Sequence, residues 1–287
     1  NLEELDVSNN VQLQYLYCHN EQPKSHYMHD VEVNDYYNYL TTLDVSANVN
    51  LLELNCSANY LSELNLSNNV KLQFLECAYN PLGTLDLSNN AKLEELYCYE
   101  NQLASLNLQN KPVLAKLDCE SNELTSLDLS GAPNLLEVTC GINQLTTLDL
   151  SPCEELSYLS CKENYLTSLD LSGNLGLEAL YCQNNKISKL DLSDNEYICK
   201  LRCDGNKMTS LDIDECRYLY YLVCANNKMT ELTVNADKAL IFGDMMNMVD
   251  MINSVEPTDK NSYWLYQYDP NDFDKDHQSA AKQYMFA

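Results

Sequence analysis

Apolar residues return along this chain with a period of 21, and the polar positions between them return in step. Leu61, Leu64, Leu66, Leu72, Leu75 and Cys77 mark one unit, and the next begins at Leu82. Further units begin at Leu103, Leu124, Leu145, Leu166, Ile187 and Met208, a partial one at Met229, and two upstream at Leu40 and Leu2. Ten full units and a fragment therefore cover residues 2–235. The pattern is L-x-x-L-D-L-S-x-N-x-x-L-x-x-L-x-C-x-x-N-x. One unit cannot bury its apolar face alone but stacked neighbours can, so the repetition predicts a solenoid with one continuous core. The alternation around Leu75-x-Cys77 predicts a short strand in each unit, stacked in parallel about 4.8 Å from the next. Such a sheet of ten strands spans roughly 45 Å.

The segment L-x-x-L-x-C-x-x-N-x-L matches the leucine-rich-repeat signature, with Cys at the sixth place. Each polar column then has a structural task. The Asn column (Asn59, Asn80, Asn101, Asn122, Asn143, Asn164, Asn185, Asn206, Asn227) is expected to bond backbone groups where the chain leaves the strand. Asp6, Asp44, Asp86, Asp128, Asp149, Asp170, Asp191 and Asp212 recur in L-D-L-S, where Asp-x-Ser suits a turn. Calcium needs several oxygens converging on one ion, which one carboxylate per repeat does not supply.

Thirteen cysteines invite a redox or metal reading. Ten of them share one column: Cys18, Cys56, Cys77, Cys98, Cys119, Cys140, Cys161, Cys182, Cys203 and Cys224. After the first interval their spacing is 21, which excludes zinc fingers. Neighbouring β-carbons in register lie about 4.8 Å apart with parallel vectors, whereas a disulfide wants about 3.8 Å and crossed ones. The column is therefore expected to be a ladder of buried thiols that pack as small apolar groups. Cys153 and Cys216 share another column three repeats apart, roughly 14 Å and too far to bridge. Cys199 is placed at a strand edge on the open face. Buried thiols survive in either redox compartment, so cysteine usage does not choose between them.

These repeats resemble the internalin-type leucine-rich repeats of bacterial surface proteins, in particular members whose 21-residue unit carries a cysteine ladder. Leu166-Thr-Ser-Leu-Asp-Leu-Ser-Gly-Asn174 followed by Leu177-Glu-Ala-Leu-Tyr-Cys-Gln-Asn-Asn185 is also similar to abundant secreted repeats of gut bacteria. The resemblance covers residues 2–235. It implies an α/β-type leucine-rich-repeat solenoid, mostly β and irregular turns with few helices. The shape it implies is a curved right-handed superhelix with a parallel concave sheet and a small C-terminal cap. It further implies an extracellular or cell-surface recognition module used in adhesion or host interaction. Asn1 to Ser8 already lie inside a repeat with no polar cap ahead of them, so the chain is expected to be a processed or truncated piece of a longer protein.

A net charge of −26 repels phosphate backbones and anionic lipid, which argues against nucleic-acid partners. A protein or glycan partner, basic or polar, fits it. No run of about 18 apolar residues, the length a membrane-crossing helix needs, occurs in the sequence. Catalysis is not expected: His19, His26, His29 and His277 are the only histidines, no Gly-x-Ser-x-Gly or phosphate loop occurs, and the carboxylates sit on an open surface. No cofactor or metal is expected. The competing non-catalytic reading is a structural spacer or filament subunit.

Recognition should fall where packing leaves residue choice free, at the outward strand positions. In the N-terminal half these gather Tyr15, Tyr17, Phe74, Tyr79, Tyr97 and Tyr99 with Glu76, Glu95, Asp118 and Glu120. Outward aromatics cost solubility and are typical of contact surfaces, although Tyr also suits strands. Residues 23–39 interrupt the array between the first two repeats. They form an insertion loop in which Tyr27, Tyr36 and Tyr37 are candidate contacts and His26-x-x-His29 a weak metal pair. Residues 236–287 are expected to be a separate C-terminal cap or tail. Within it 237–255 form a helix-like apolar stretch, and Tyr263-Trp-Leu-Tyr-Gln-Tyr268 reads as an aromatic strand or packed segment. Asp272-Phe-Asp-Lys-Asp276 has calcium-loop spacing, but His277 and Gln283 replace the required Gly and Glu.

Overall fold

The structure, a computed structural model, describes residues 2–19, 38–234 and 265–266. Every repeat folds the same way, because its leucines have only one direction in which to be buried. The x-L-x-C run gives a three-residue strand with its central apolar residue inward. These strands are β1 (Tyr15–Tyr17), β2 (Glu53–Asn55), β3 (Phe74–Glu76), β4 (Glu95–Tyr97), β5 (Lys116–Asp118) and β6 (Glu137–Thr139). They continue as β7 (Tyr158–Ser160), β8 (Ala179–Tyr181), β9 (Lys200–Arg202), β10 (Ser210–Asp212), β11 (Tyr221–Val223), β12 (Glu231–Thr233) and β13 (Leu265–Tyr266). The order β1 to β9 and then β11 is parallel and in register, Leu75 beside Leu96 and Leu96 beside Leu117. The result is the expected leucine-rich-repeat solenoid, with no helix among the described residues.

Two features go beyond the repeat. The backbone of β13 adds antiparallel to β11 at the C-terminal edge, Leu265 opposite Leu222, so part of the aromatic segment is a strand. On the far side of the solenoid, β10 and β12 form a separate two-stranded parallel sheet from the segments that are L-D-L-S turns in earlier repeats.

The inward columns fuse into one hydrophobic cluster running from Val7 to Met229. Leu72, Leu75 and Cys77 are fully buried and typify it. Twelve of the thirteen thiols are buried, none is joined in a disulfide, and only Cys199 is partly exposed. Burial pushes the Cys77 and Cys140 thiols up to about 12, so they stay protonated and behave as packing groups.

The Asn column does what its spacing implies. Asn122 Nδ2 donates to the carbonyls of Cys98, Cys119 and Glu120 at 3.0–3.2 Å, and its Oδ1 accepts the Leu103 N–H at 3.0 Å. The side chain thus ties two successive repeats together while bracing its own turn. That turn passes through a left-handed residue in nine repeats: Ala58, Tyr79, Glu100, Ser121, Ile142, Glu163, Asn184, Gly205 and Asn226, with φ between 50° and 66°. Gly205 is intrinsically suited to it, Asn184 and Asn226 tolerate it, and the other six do not favour it. A Cβ there would also come within 2.2 Å of Asn184 Oδ1.

Asn38 is in this ladder too, donating to the Cys18 carbonyl at 3.0 Å and accepting the Leu2 N–H at 2.9 Å. Tyr39 N–H donates to the Leu2 carbonyl at 2.6 Å, just as Tyr60 N–H donates to that of Leu40. The interruption expected over 23–39 is therefore shorter at its C-terminal end, because Asn38 and Tyr39 are held in register by the repeat's own bonds. Tyr27, Tyr36, Tyr37, His26 and His29 lie outside the described residues, as does the helix-like stretch 237–255.

The Asp column closes turns. Asp86 Oδ1 accepts the Ser88 N–H at 2.9 Å, and these bonds hold its carboxyl below the usual range. No group of three or more His, Cys, Asp or Glu among the described residues could hold a metal ion.

Candidate recognition surface

The period-two geometry of a strand turns the residues flanking each buried leucine to the outer face of the sheet. Because the repeats stack in register, these residues form straight columns with neighbours about 4.8 Å apart, close enough for side chains to touch. Tyr15 and Tyr17 lie at the N-terminal end and are 51% and 53% exposed. The Tyr17 hydroxyl donates to the Glu53 carboxylate on β2.

The densest part of the face spans β3 to β5. Phe74 and Tyr97 meet at 5.6 Å between ring centroids, and Tyr79 and Tyr99 meet edge-on at 5.3 Å. Tyr97 donates its hydroxyl to Glu95 at 2.8 Å, and Asn55 donates to Glu76 at 2.6 Å. Phe74, Glu76, Tyr79, Glu95, Tyr97, Tyr99, Asp118 and Glu120 are all half-buried. They form a surface of fixed side chains, which loses less entropy on contact than free ones would.

The electrostatics follow from this crowding. Burial raises the Asp118 carboxyl to about 7, opposed by the Glu120 N–H that it accepts at 3.1 Å and reinforced by the Glu120 charge. Burial also raises Glu76. Burial and the nearby carboxylates push the Tyr97 and Tyr99 hydroxyls well above their ordinary range, so both remain neutral donors.

Sequence columns alone did not reveal the partner of Glu120. Lys162 Nζ reaches its Oε1 at 2.9 Å across an intervening strand. Gly141 opens that path: a Cβ there would meet Lys162 Cγ at 2.7 Å. The acidic patch thus ends at β5, where a lysine closes it. Beyond it the face continues with a second aromatic pair, Tyr158 and Tyr181, at 5.6 Å, and with an Arg202–Asp204 ion pair at 2.9 Å. The sequence-predicted residues therefore fall into two groups. Tyr15 and Tyr17 stand apart on β1, and the other eight form one patch with Asn55 and Lys162 at its borders.

With the sheet, its ladders and this face in view, comparison with solved structures separates one likeness from the rest. The functional domain of InlJ from Listeria monocytogenes, described as including a cysteine ladder, superposes with a TM-score of 0.69 at 29% identity. The match covers 82% of this chain and 56% of that one. The chain is an internalin-like leucine-rich-repeat solenoid with a cysteine ladder. An internalin, InlF, also from Listeria monocytogenes, matches at TM-score 0.59 and 20% identity over 80% of this chain and 63% of its own length. YopM from Yersinia enterocolitica matches at 0.54 and 24%, over 69% and 47% of the two chains. At those identities the latter two share the fold alone. The internalin-like chain spans little more than half of the InlJ domain. No protein-family model and no curated protein matches its sequence. No helix among the described residues is long and apolar enough to cross a membrane.

Proposed function

We propose that this chain is a non-catalytic recognition module that binds a protein or glycan partner of basic or polar character through the outward, concave face of its sheet. The internalin-like fold supports a protein-interaction module of a bacterial cell surface, serving adhesion or host contact. The observation that carries the reading is the patch on β3 to β5. Two aromatic pairs are fixed among Glu76, Glu95 and Asp118 at positions that the core leaves free. Aromatic faces supply contact area at low entropic cost, and the carboxylates select cations or hydroxyl donors.

The test is an array of immobilised basic proteins, acidic proteins and neutral glycans, probed with the wild-type chain and with Tyr97→Ser/Tyr99→Ser. Capture of basic proteins or neutral glycans by the wild type, lost in the variant while its melting temperature holds, is the expected result. Equal capture by both chains overturns the assignment. Ordered polymers in light scattering, without capture of any partner, would instead favour the spacer or filament reading.

A further inference from the structure

The edge of the solenoid where the chain leaves the strand is graded along its length. One column there, two residues after each left-handed position, reads Tyr60, Pro81, Gln102, Glu123, Gln144, Tyr165, Lys186, Lys207 and Lys228. The last three repeats therefore place a lysine at the same point. The backbone keeps the three in line, because Lys186, Lys207 and Lys228 donate their N–H groups to the Leu166, Ile187 and Met208 carbonyls at 2.8–2.9 Å. Rows bonded in this way lie about 4.8 Å apart. All three side chains are exposed, and none makes an ion pair among the described residues. Other basic groups do: Lys116, Lys162, Lys189, Arg202 and Arg217 each hold a carboxylate. In a chain of charge −26, three adjacent lysines without counter-charges are a local reversal of sign.

A second observation lies beside the first. An open groove of about 420 Å³ runs into this row, lined by Asn122, Ile142, Gln144, Glu163, Tyr165 and Asn184. Tyr165 is 48% exposed and Ile142 is 39% exposed. Lys186 Nζ sits 4.5 Å from the Tyr165 ring centroid, joining groove and row. Ile142 is the one β-branched residue among the left-handed positions, at φ 50°, a conformation that costs such a side chain energy. The groove thus offers an aromatic face, an aliphatic side chain and several amides, and Lys186, the first of the three aligned cations, borders it at Tyr165.

We propose that this edge binds a linear anionic polysaccharide, with a sugar ring against Tyr165 and the acid groups of the following residues on Lys186, Lys207 and Lys228. An aromatic face suits the C–H face of a pyranose, and the amides of Gln144 and Asn184 suit its hydroxyls. Glu163 in the groove accepts hydroxyl donors. Repulsion from the rest of the acidic surface is screened beyond about 8 Å at physiological salt, so a chain lying along the row meets the lysines first.

This site is separate from the sheet face and does not depend on it. The full chain is titrated with heparin as a sulfated probe, hyaluronate as a carboxylated one, and neutral dextran, single-stranded RNA and poly-glutamate as comparisons. The wild type is expected to bind one or both anionic glycans, and which of them it binds identifies the acid group. Lys186→Gln/Lys207→Gln/Lys228→Gln should weaken that binding about a hundredfold, on the order of fivefold per lysine, with an unchanged melting temperature. Tyr165→Ala should weaken it by at least about fivefold. Tyr97→Ser/Tyr99→Ser should leave it unaltered. No binding of either anionic glycan, equal binding of dextran, or unchanged affinity in the lysine variant overturns the proposal. RNA or poly-glutamate bound as tightly as the glycans overturns its assignment to a polysaccharide.

Discussion

Two asparagine columns run the length of this solenoid, and they are not equivalent. The column after the strand is filled in every repeat from Asn38 to Asn227. The column in the turn before the strand holds Asn48, Asn69 and Asn90, then Lys111, Ala132 and Cys153, then Asn174 and Asn195, and finally Cys216. The hydrogen bonds account for the difference. In the first column, Asn122 satisfies three carbonyls and one N–H. In the second, Asn90 Nδ2 donates to the Leu66 and Asn69 carbonyls at 3.2 and 2.9 Å, but its buried Oδ1 finds no partner. The same is true of Asn48 and Asn69. A side chain that meets all its own needs fixes its position; one left with an orphan acceptor can be replaced. Cys153 shows the substitution, its Sγ lying 3.7 Å from the Ala132 carbonyl.

The largest expected effect separates the two columns. Asn122→Ala strands four backbone groups and should cost about 4 kcal/mol in chemical denaturation, whereas Asn90→Ala also removes an unsatisfied oxygen and should cost about 1 kcal/mol. Equal losses would break the comparison. Next in size is Asp118, an acid made costly by burial instead of by a missing partner. Its folded-state pKa of about 7 lies above the ordinary aspartate value of 3.8, so its contribution to stability is present below pH 3.8 and is lost as pH rises through 7. Asp118→Asn, which keeps the acceptor for the Glu120 N–H, should therefore stabilise the protein by about 3 kcal/mol at pH 8 and by almost nothing at pH 3.5. A gain that does not vary with pH would contradict that account. Thiol labelling sharpens the same contrast for the cysteine column. At pH 8 the native chain should yield one slowly labelled position, Cys199, against thirteen after denaturation. Rapid labelling of Cys119 or Cys140 would show that the ladder is open. The smallest effect should come from the exposed turn carboxylates. Their pKa values are lowered, so what Asp170→Ala removes is present above pH 3.8 and fades as pH falls below it. At neutral pH its melting temperature should shift less than that of Asn122→Ala, Asn90→Ala or Asp118→Asn.

Columns fixed by packing were legible in the sequence, because every repeat states them again. The strand positions, the buried thiols, the asparagine ladder and the Asp-x-Ser turns all read directly from the period. The left-handed column did not. Its residues range from Ala58 to Ile142 and share no glycine preference, since the ladder asparagine bonds the turn strongly enough to override each residue's own conformation. Asn38 was legible in principle, standing two residues before Leu40 just as Asn59 stands before Leu61. The β10–β12 sheet was hidden because Ser210–Asp212 keeps the sequence of a turn. In the candidate site the columns named the aromatic and acidic residues. The Lys162–Glu120 pair could not be foreseen, because it joins residues two repeats apart and depends on a missing side chain at Gly141.

Inward columns build the scaffold, and the proposed contact falls to the outward sheet positions on β3 to β5. The most direct measurement is the affinity of a partner captured on the protein and glycan array, compared between the wild type, Tyr97→Ser/Tyr99→Ser on the sheet and Tyr60→Ser/Tyr218→Ser on the edges. Affinity should fall by more than tenfold, or about 1.4 kcal/mol, for the sheet variant and stay within twofold for the edge variant. An edge variant that loses binding while the sheet variant keeps it would contradict the assignment of recognition to the sheet.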